Sequence, residues 1–302
     1  MGDADGGAWI SPDGIAEFAR TAEESGVDAV AFTDHPAPSK KWLEAGGHET
    51  FDPFVALGFC AAVTSRLKLM TNLTVVPYRN PLLMARSMTS VDVLSGGRTI
   101  FTLGTGYLRS EFAALGVDFE ERNALFDEAV EVLRGVWSTA ATSTPSGFSY
   151  EGRHFRAIGQ IIKPGPVQRP YPPLWLGGNA KVVLDRVARW GNGWAPLLGG
   201  GTTLARTTRT AVIGSDEKLA GMIRDLATRL ESNGRSLAEI DILASSMEGR
   251  YSPGAPEEFL DALGRFAEMG VTWSPGFFAR GSFGAALDGI RQFGEEVIAR
   301  AR

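Results

Sequence analysis

The sequence predicts an α/β fold built on a parallel sheet, and three observations support this. Short apolar strands alternate with amphipathic helices along most of the 302 residues. Predicted helices begin at pairs such as Ser11-Pro12 and Asn80-Pro81 and end at glycine. The 37 glycines are about 12% of the chain, against a usual ~7%, which favours many tight turns. Strands that alternate with helices pair in parallel, with helices on both faces of the sheet.

The first half of the chain follows this alternation closely. Apolar residues recur at helical spacing between Ile15 and Ala22, which predicts a helix over 12–25. Val27–Thr33 reads as a buried strand that ends at Asp34-His35-Pro36. Five more elements are predicted: a helix over 53–64, a strand over Leu67–Val76, a helix over 81–94, a strand over Thr99–Leu103 and a helix over Ala124–Ser138.

Residues 139–173 interrupt the alternation. This segment is rich in Ser, Thr and Gly, then contains a predicted small hairpin at Tyr150–Phe155, then a proline-rich run to Pro173. We interpret it as an excursion from one core, so the sequence predicts a single domain over 1–302.

The second half resumes the alternation but does not decide between an open sheet and a closed barrel. Its predicted strands are Leu174–Leu176, Trp194–Leu198, Ile240–Ser246 and Val271–Trp273, and its predicted helices are Ala180–Trp190, Asp216–Glu231, Glu257–Met269 and Phe283–Arg300. The whole chain then has seven predicted strands and eight predicted helices, with no strand before the first helix. An open doubly wound sheet accommodates this number, whereas a closed barrel needs eight strands.

Composition and charge favour a small-molecule partner in the cytoplasm. The net charge is −5, with no block of like charges, so nothing indicates nucleic-acid or anionic-membrane binding. Phe54–Val63 is the longest apolar run and is well short of the ~20 residues that span a bilayer. The N-terminus has no signal-peptide features. Cys60, the single cysteine, is expected to be buried packing.

Several classes of enzyme and binding protein are disfavoured because the sequence lacks their motifs. His35, His48 and His154 are isolated from one another, and no metal-ligand spacing is present. The sequence also lacks a G-x-S-x-G elbow and a G-x-x-x-x-G-K-[ST] loop, so serine or metal hydrolysis and nucleoside triphosphate binding are disfavoured.

Four segments in or just after predicted strands are candidate sites, because ligands bind at the C-terminal ends of the strands in parallel α/β folds. Asp34-His35 offers an imidazole that can exchange protons near neutral pH, although a plain Asp-His-Pro turn is an equal alternative. Thr71–Thr74 interrupts an apolar strand and is better explained by ligand contact than by glycosylation. Leu103–Tyr107 begins like a dinucleotide fingerprint but has Arg109 at the third glycine position. Leu176–Asn179 ends a predicted strand and leads into a helix, whose free N–H groups favour an anion such as phosphate. An ordinary turn is the alternative interpretation.

The chain resembles the luciferase-like monooxygenase superfamily, and most closely its branch that uses the deazaflavin coenzyme F420. The motifs that carry the resemblance span nearly the whole chain in order: Ala22–Val30 into Thr33-Asp34-His35, Val76–Pro81, Leu94–Arg98, Leu103–Tyr107, Glu111–Gly116, Tyr150–Arg153 and Pro172–Gly178. The resemblance implies a TIM (β/α)₈ barrel with its cofactor at the C-terminal ends of the strands. The family's first strand is absent here, so we expect a chain that starts one strand late.

The resemblance also implies roles for individual residues. His35 would be the general acid/base beside the transferred hydride, and Asp34 would contact the deazaflavin ring. Asn72-Leu73 falls where the family often has a non-prolyl cis peptide against the ring. Tyr107 stands where the sugar-phosphate-oxidising relatives carry a catalytic Glu, which argues against the same substrate and makes it a second catalytic candidate. The remaining cofactor contacts implied are Thr105, Gly106, Ser110, Gly177, Gly178 and Ala180.

The expected function is hydride transfer between F420 and an unidentified small organic substrate, with no metal. Two alternatives stay open, an FMN-dependent monooxygenase that uses oxygen and a non-catalytic barrel that binds a flavin. The family also implies a homodimer. Trp42 and His48, in the loop after Asp34-His35, and the 139–173 excursion are expected to set the substrate.

Overall fold

The structure is a computed structural model. It describes residues 7–138, 146–199, 211–245, 251–276 and 282–301. The chain divides into two compact units: the central unit, Ala31–Pro173, and the terminal unit, which combines Met1–Val30 with Leu174–Arg302. The expectation of a single domain stays a prediction.

The described helices and strands match most of the predicted elements. The helices are α1 (Pro12–Glu24), α2 (Lys40–Glu44), α3 (Pro53–Val63), α4 (Pro81–Leu94), α5 (Arg109–Ala114), α6 (Arg122–Trp137), α7 (Lys181–Trp190), α8 (Asp216–Ser232), α9 (Glu257–Glu268) and α10 (Phe283–Phe293). The strands are β1 (Ala29–Phe32), β2 (Lys68–Val75), β3 (Thr99–Gly104), β4 (Phe148–Glu151), β5 (Arg156–Gln160), β6 (Leu174–Gly177), β7 (Gly193–Ala195) and β8 (Asp241–Ile242).

The predicted helix starts are confirmed by their caps. The side chains of Ser11, Asp52 and Asn80 each accept hydrogen bonds from backbone N–H groups in the first turn that follows. Each is followed by proline at the first helical position, where no N–H is needed. The short helices α2 and α5 were not predicted, because one or two turns are too short to show a helical period.

The strands β1, β2 and β3 are neighbours in that order, and β2 pairs with β3 in parallel. Cys60 is fully buried, as predicted. The excursion forms the predicted antiparallel hairpin, β4 with β5. The Glu128 carboxylate on α6 accepts hydrogen bonds from the backbone N–H groups of His154 and Phe155, which fixes the hairpin turn to that helix. Residues 139–145 of the excursion lie outside the described residues.

The buried carboxylate of Asp92 fixes the proline-rich run to the central unit. It accepts hydrogen bonds from the backbone N–H groups of Val167 and Gln168, from the Gln168 side chain and from the Thr99 hydroxyl. The run is therefore part of the folded central unit, in keeping with an excursion and not a linker.

The terminal unit contains a second parallel set of strands, in the order β6, β7, β8. β7 and β8 are shorter than predicted, whereas β6 extends one residue further, to Gly177. β7 ends at Ala195 and not at Leu198, because Pro196 cannot donate to a ladder. The prediction for Ile240–Ser246 reduces to β8 and a bridge at Leu243, with Ser246 outside the described residues.

Two predictions near the C-terminus need correction. Val271–Trp273 is not a strand, since Trp273 makes only a single bridge to Leu243. The final helix is interrupted by a π-helical segment, Gly294–Ile298. In that segment Gly294 lies so close to Ser25 that a Cβ would stand 2.5 Å from the Ser25 carbonyl oxygen.

The first described elements are a 3₁₀ turn, Ala8–Ile10, and then α1, so no strand precedes α1 among residues 7 and onward. A barrel that lacks its first strand stays a prediction. Within the described ranges, no helix combines the length and the apolar character that a membrane crossing requires.

Candidate active site

The carboxylate of Asp34 lies just after β1 and is held in a buried ion pair. Arg79 binds it in a bidentate manner, with Nη1 donating to Oδ2 at 2.6 Å and Nη2 to Oδ1 at 2.9 Å. The backbone N–H of Val75, at the end of β2, donates to Oδ2 at 3.0 Å. Only 1% of the Asp34 side chain is exposed. This carboxylate therefore ties the end of β1 to the end of β2.

Arg79 also connects this ion pair to the start of helix α3. Its Nη2 also donates to Oδ2 of Asp52 at 2.9 Å, while Oδ1 of Asp52 caps α3. Burial lowers the pKa of Arg79, but the hydrogen bonds and charges of Asp34 and Asp52 outweigh that effect and raise it overall. The guanidinium thus stays charged and fixes the position of the loop that carries His35.

His35 is paired with a carboxylate that has no exposed surface. Its Nδ1 lies 3.0 Å from Oε2 of Glu111, which belongs to the first turn of α5. The side chain of Glu111 is 0% exposed and that of His35 is 9% exposed. Because an ionised carboxylate only accepts hydrogen bonds, the neutral imidazole donates from Nδ1 and keeps the lone pair on Nε2. This is the arrangement of a proton-exchanging imidazole oriented by a carboxylate.

Glu111 has two further donors. The hydroxyl of Tyr78 donates to Oε2 at 3.0 Å, and the backbone N–H of Ala37 donates to Oε1 at 3.2 Å. Burial, followed by the charge and hydrogen bond of Glu111, raises the pKa of Tyr78 far above its usual value. The phenol therefore stays protonated and remains a donor to Glu111.

Aromatic rings surround the His35 imidazole. The Trp42 ring centroid lies 4.5 Å from that of His35, the His48 centroid 5.4 Å and the Tyr107 centroid 6.1 Å. Trp42 packs on Gly47, where a Cβ would stand 2.4 Å from the indole. His35 and Tyr107, the two candidates for catalysis, are thus neighbours in the structure.

The loop after β1 is held closed by hydrogen bonds at its base. Nε2 of His48 lies 2.8 Å from the Thr33 hydroxyl, and the Thr50 hydroxyl donates to the Thr33 carbonyl at 3.1 Å. Burial and the proximity of His35 lower the pKa of His48. His48 is therefore neutral near pH 7 and acts as a structural partner of Thr33.

Tyr107 is half-buried in the β3–α5 loop. Burial and the Glu111 charge raise the pKa of Tyr107, and a hydrogen bond with Trp42 lowers it in part. A phenol with a raised pKa stays protonated near neutral pH and can donate a hydrogen bond.

The polar interruption in β2 is a bulge with a cis peptide bond. Thr71 faces Phe101 and Thr74 faces Leu103, so Asn72 and Leu73 share one position of the ladder. The Asn72-Leu73 bond is cis, which confirms that prediction. Asn72 is exposed and Leu73 is half-buried, whereas both flanking threonines are fully buried.

Gly104 makes room for this bulge, and Gly106 makes room for Val75 at the end of β2. At Gly104 a Cβ would stand 2.5 Å from the Leu73 side chain. At Gly106, with φ +77°, it would stand 2.6 Å from Val75. The G-x-G pattern thus serves close packing of the two strand ends.

The other predicted cofactor contacts divide between the two units. In the central unit, Thr105 is half-buried beside Gly106, and Ser110 is exposed on α5. In the terminal unit, Gly177 ends β6, Gly178 has φ +120°, and Ala180 precedes the first turn of α7. The Asn179 side chain, next to Gly178, makes hydrogen bonds with the backbone of Leu197 and Ala211 within the terminal unit.

Sequence reasoning missed three residues of the site: Tyr78, Arg79 and Glu111. All three lie in motifs used for the resemblance, Val76–Pro81 and Glu111–Gly116, but no role was given to them. The sequence carries no signal for Glu111, because its burial beside Phe112 on α5 is visible only in the structure. No group of three or more possible metal ligands occurs within the described ranges.

A model of the luciferase-like monooxygenase family matches residues 2–248. The chain belongs to this family. This match confirms the prediction of a luciferase-like oxidoreductase. The similar proteins are named as dehydrogenases and monooxygenases.

Members with curated names include users of both cofactors. An F420-dependent glucose-6-phosphate dehydrogenase of Kineococcus radiotolerans is 29% identical over 236 residues, which is 77% of this chain and 62% of that protein. An FMNH(2)-dependent dimethylsulfone monooxygenase of Pseudomonas putida is 30% identical over 131 residues, 42% of this chain and 34% of that protein. The chain thus spans less than two thirds of the length of these relatives.

Two solved structures share the fold of the chain. The monooxygenase RslO1 from Streptomyces bottropensis has a TM-score of 0.79 at 19% identity, covering 100% of this chain and 97% of that one. The coenzyme F420-dependent tetrahydromethanopterin reductase from Methanopyrus kandleri has a TM-score of 0.70 at 18% identity, covering 97% and 96%. At these identities the likeness shows the fold alone.

Proposed function

We propose that the chain is an oxidoreductase that transfers a hydride between coenzyme F420 and a small organic substrate, with His35 exchanging the accompanying proton. The observation that carries the proposal is the 3.0 Å contact between Nδ1 of His35 and the buried carboxylate of Glu111. This contact leaves Nε2 as the proton-exchanging atom. The relatives named as F420-dependent dehydrogenases, at 29–30% identity over 77% of the chain, support the choice of coenzyme.

We propose that residues at the ends of β2 and β3 hold the deazaflavin ring. The cis bulge presents exposed Asn72 and half-buried Leu73 in an otherwise buried strand. With Thr105, Gly106 and Ser110, these residues would hold the ring and its polar chain. The burial of Asp34 and its bonds to Arg79 and Val75 favour a role in holding the loop after β1, and its contact with the ring stays a prediction.

In the terminal unit, we propose Gly177, Gly178 and Ala180 as the segment that holds the phosphate side of the coenzyme. Gly178 has φ +120°, a conformation that favours glycine, and Ala180 immediately precedes α7. The N–H groups of a helix's first turn favour an anion.

The chain's own residues would supply orientation and proton transfer, while the bound coenzyme supplies the carbon that accepts or gives the hydride. An alcohol that loses a hydride also loses its hydroxyl proton, which the neutral His35 can take at Nε2. Tyr107, protonated because its pKa is raised, would donate a hydrogen bond to the substrate oxygen. Trp42 would shield the imidazole from water.

A second candidate function is an FMN-dependent monooxygenase. The 30% identical monooxygenase of Pseudomonas putida supports it, although over only 42% of the chain. A TIM (β/α)₈ barrel that starts one strand late, and a homodimer acting in the cytoplasm, complete the proposal. Sedimentation of the full chain measures the oligomeric state directly.

The proposed function is tested by titrating the purified full chain with F420 and with FMN and recording binding. We expect binding to F420 in the micromolar range or tighter. We also expect His35→Asn to retain that binding but to lose turnover with a panel of small alcohols and carbonyl compounds. The matched control is His154→Asn, in the hairpin turn, which should change neither. Tight FMN binding without F420 binding would replace this proposal with the second candidate.

A further inference from the structure

One oxygen of the buried Glu111 carboxylate takes two side-chain donors. The Tyr78 hydroxyl and the His35 imidazole Nδ1 each lie 3.0 Å from Oε2. The Ala37 N–H occupies the other oxygen at 3.2 Å. The phenol and the imidazole therefore share the negative charge of a single oxygen that water does not reach.

Packing holds the Tyr78 phenol at this oxygen. Tyr78 belongs to the 3₁₀ turn Val76–Tyr78 that follows β2. Its ring packs edge-on against Phe112 at 5.0 Å, within a cluster that also contains Val75 and Phe119. The two donors thus come from the loop after β1 and the turn after β2, and the carboxylate comes from α5.

We propose that Tyr78 is a positioning residue for His35: its hydroxyl bond to Glu111 sets how strongly that carboxylate holds the imidazole proton. This role rests on the proposed function of His35, and it adds a residue that the function does not itself require. Without the hydroxyl, the charge on Oε2 would be balanced by the imidazole alone. The His35–Glu111 pair would then hold its shared proton more tightly.

Other charged and titratable groups face the pair and stay unchanged when the hydroxyl is removed. They come from the end of β1 and its loop, from the turn after β2 and from the β3–α5 loop: Asp34, His48, Arg79 and Tyr107. Asp34 and Arg79 compensate each other in their own ion pair. The phenol of Tyr78 keeps its proton, because burial and Glu111 raise its pKa.

The experiment is a histidine NMR titration of the full chain, which needs no substrate or coenzyme. The chain has three histidines and five tyrosines, so the signals can be assigned by substitution. We expect Tyr78→Phe to move the apparent pKa of the His35–Glu111 pair upward by about 0.5–1 pH unit. Tyr150→Phe is the matched control, because its hydroxyl also donates to a carboxylate, that of Glu131 at 3.0 Å, with no histidine in the pair. It should leave His35 unchanged.

A second measurement uses the unaltered protein, so the inference stays testable if Tyr78→Phe fails to fold. The ¹³Cζ signal of Tyr78 should shift with pH at the same midpoint as His35, because both groups bind one carboxylate. A Tyr78 signal that ignores the His35 titration would overturn the inference, as would a folded Tyr78→Phe variant with an unshifted His35. Loss of F420 binding or turnover would instead bear on the proposed function and leave these titrations unaffected.

Discussion

Arg79→Met should destabilise the protein strongly, because it removes the partner of a buried charge. The Asp34 side chain is 1% exposed and would keep only the Val75 N–H of its three hydrogen bonds. Breaking a buried ion pair by removing one partner costs about 3–5 kcal/mol. Methionine keeps the packing over the Phe54 ring, which the guanidinium carbon now faces at 5.4 Å. The measured loss therefore combines the unpaired Asp34 charge with the lost hydrogen bond to Asp52.

The matched control is Arg109→Met, in the same unit. Arg109 also binds a carboxylate at 2.6 Å, that of Glu120, and also lies over a phenylalanine ring. This pair is exposed, with side chains 52% and 66% accessible, so the expected cost is about 0–1 kcal/mol. Urea unfolding at neutral pH measures both variants, with the m-value checked for constancy. Equal destabilisation of the two would refute the reasoning that burial decides the value of the pair.

Three further predictions concern the site and its loops. His35→Asn should lower turnover by about 10²–10⁴ while the coenzyme still binds, measured by steady-state kinetics, and unchanged turnover would remove His35 as the acid/base. Gly106→Ala should cost more than Gly96→Ala in urea unfolding: both have positive φ, at a cost of about 1–2 kcal/mol, but only at Gly106 would the new Cβ meet another side chain, at 2.6 Å. The pKa of His48 is lowered in the folded chain, so below about pH 6.5 the unfolded chain binds more protons there and stability falls as pH falls. His48→Gln should flatten that part of the Tm against pH curve, and an unchanged slope would contradict the assignment.

Local chemistry explains what the sequence could predict. Proline after a capping side chain fixes the start of α1, α3 and α4 to the residue, since each cap acts within its own turn. The position of Asp34-His35 at the end of β1 follows from the apolar run before it. The cis bond at Asn72-Leu73 was predictable only from the resemblance to the family, because no property of an Asn-Leu pair alone indicates it.

The parts that the sequence did not predict depend on distant residues. Glu111 and His35 are 76 positions apart, so no local pattern pairs them. Arg79 is 45 positions from Asp34, and a single arginine after Tyr78 gives no sign that it will be buried. The lengths of β7 and β8 depend on a proline and on the strands beside them. An apolar run such as Val271–Trp273 does not reveal whether a partner strand lies in register with it.

The most direct test of the central proposal is the identity of the coenzyme that the full chain retains. The chain would be purified from a host that makes both F420 and FMN, and the released molecule identified by absorbance and mass. The proposed function predicts the deazaflavin in amounts approaching one per chain. FMN in that amount, with no deazaflavin, would contradict it.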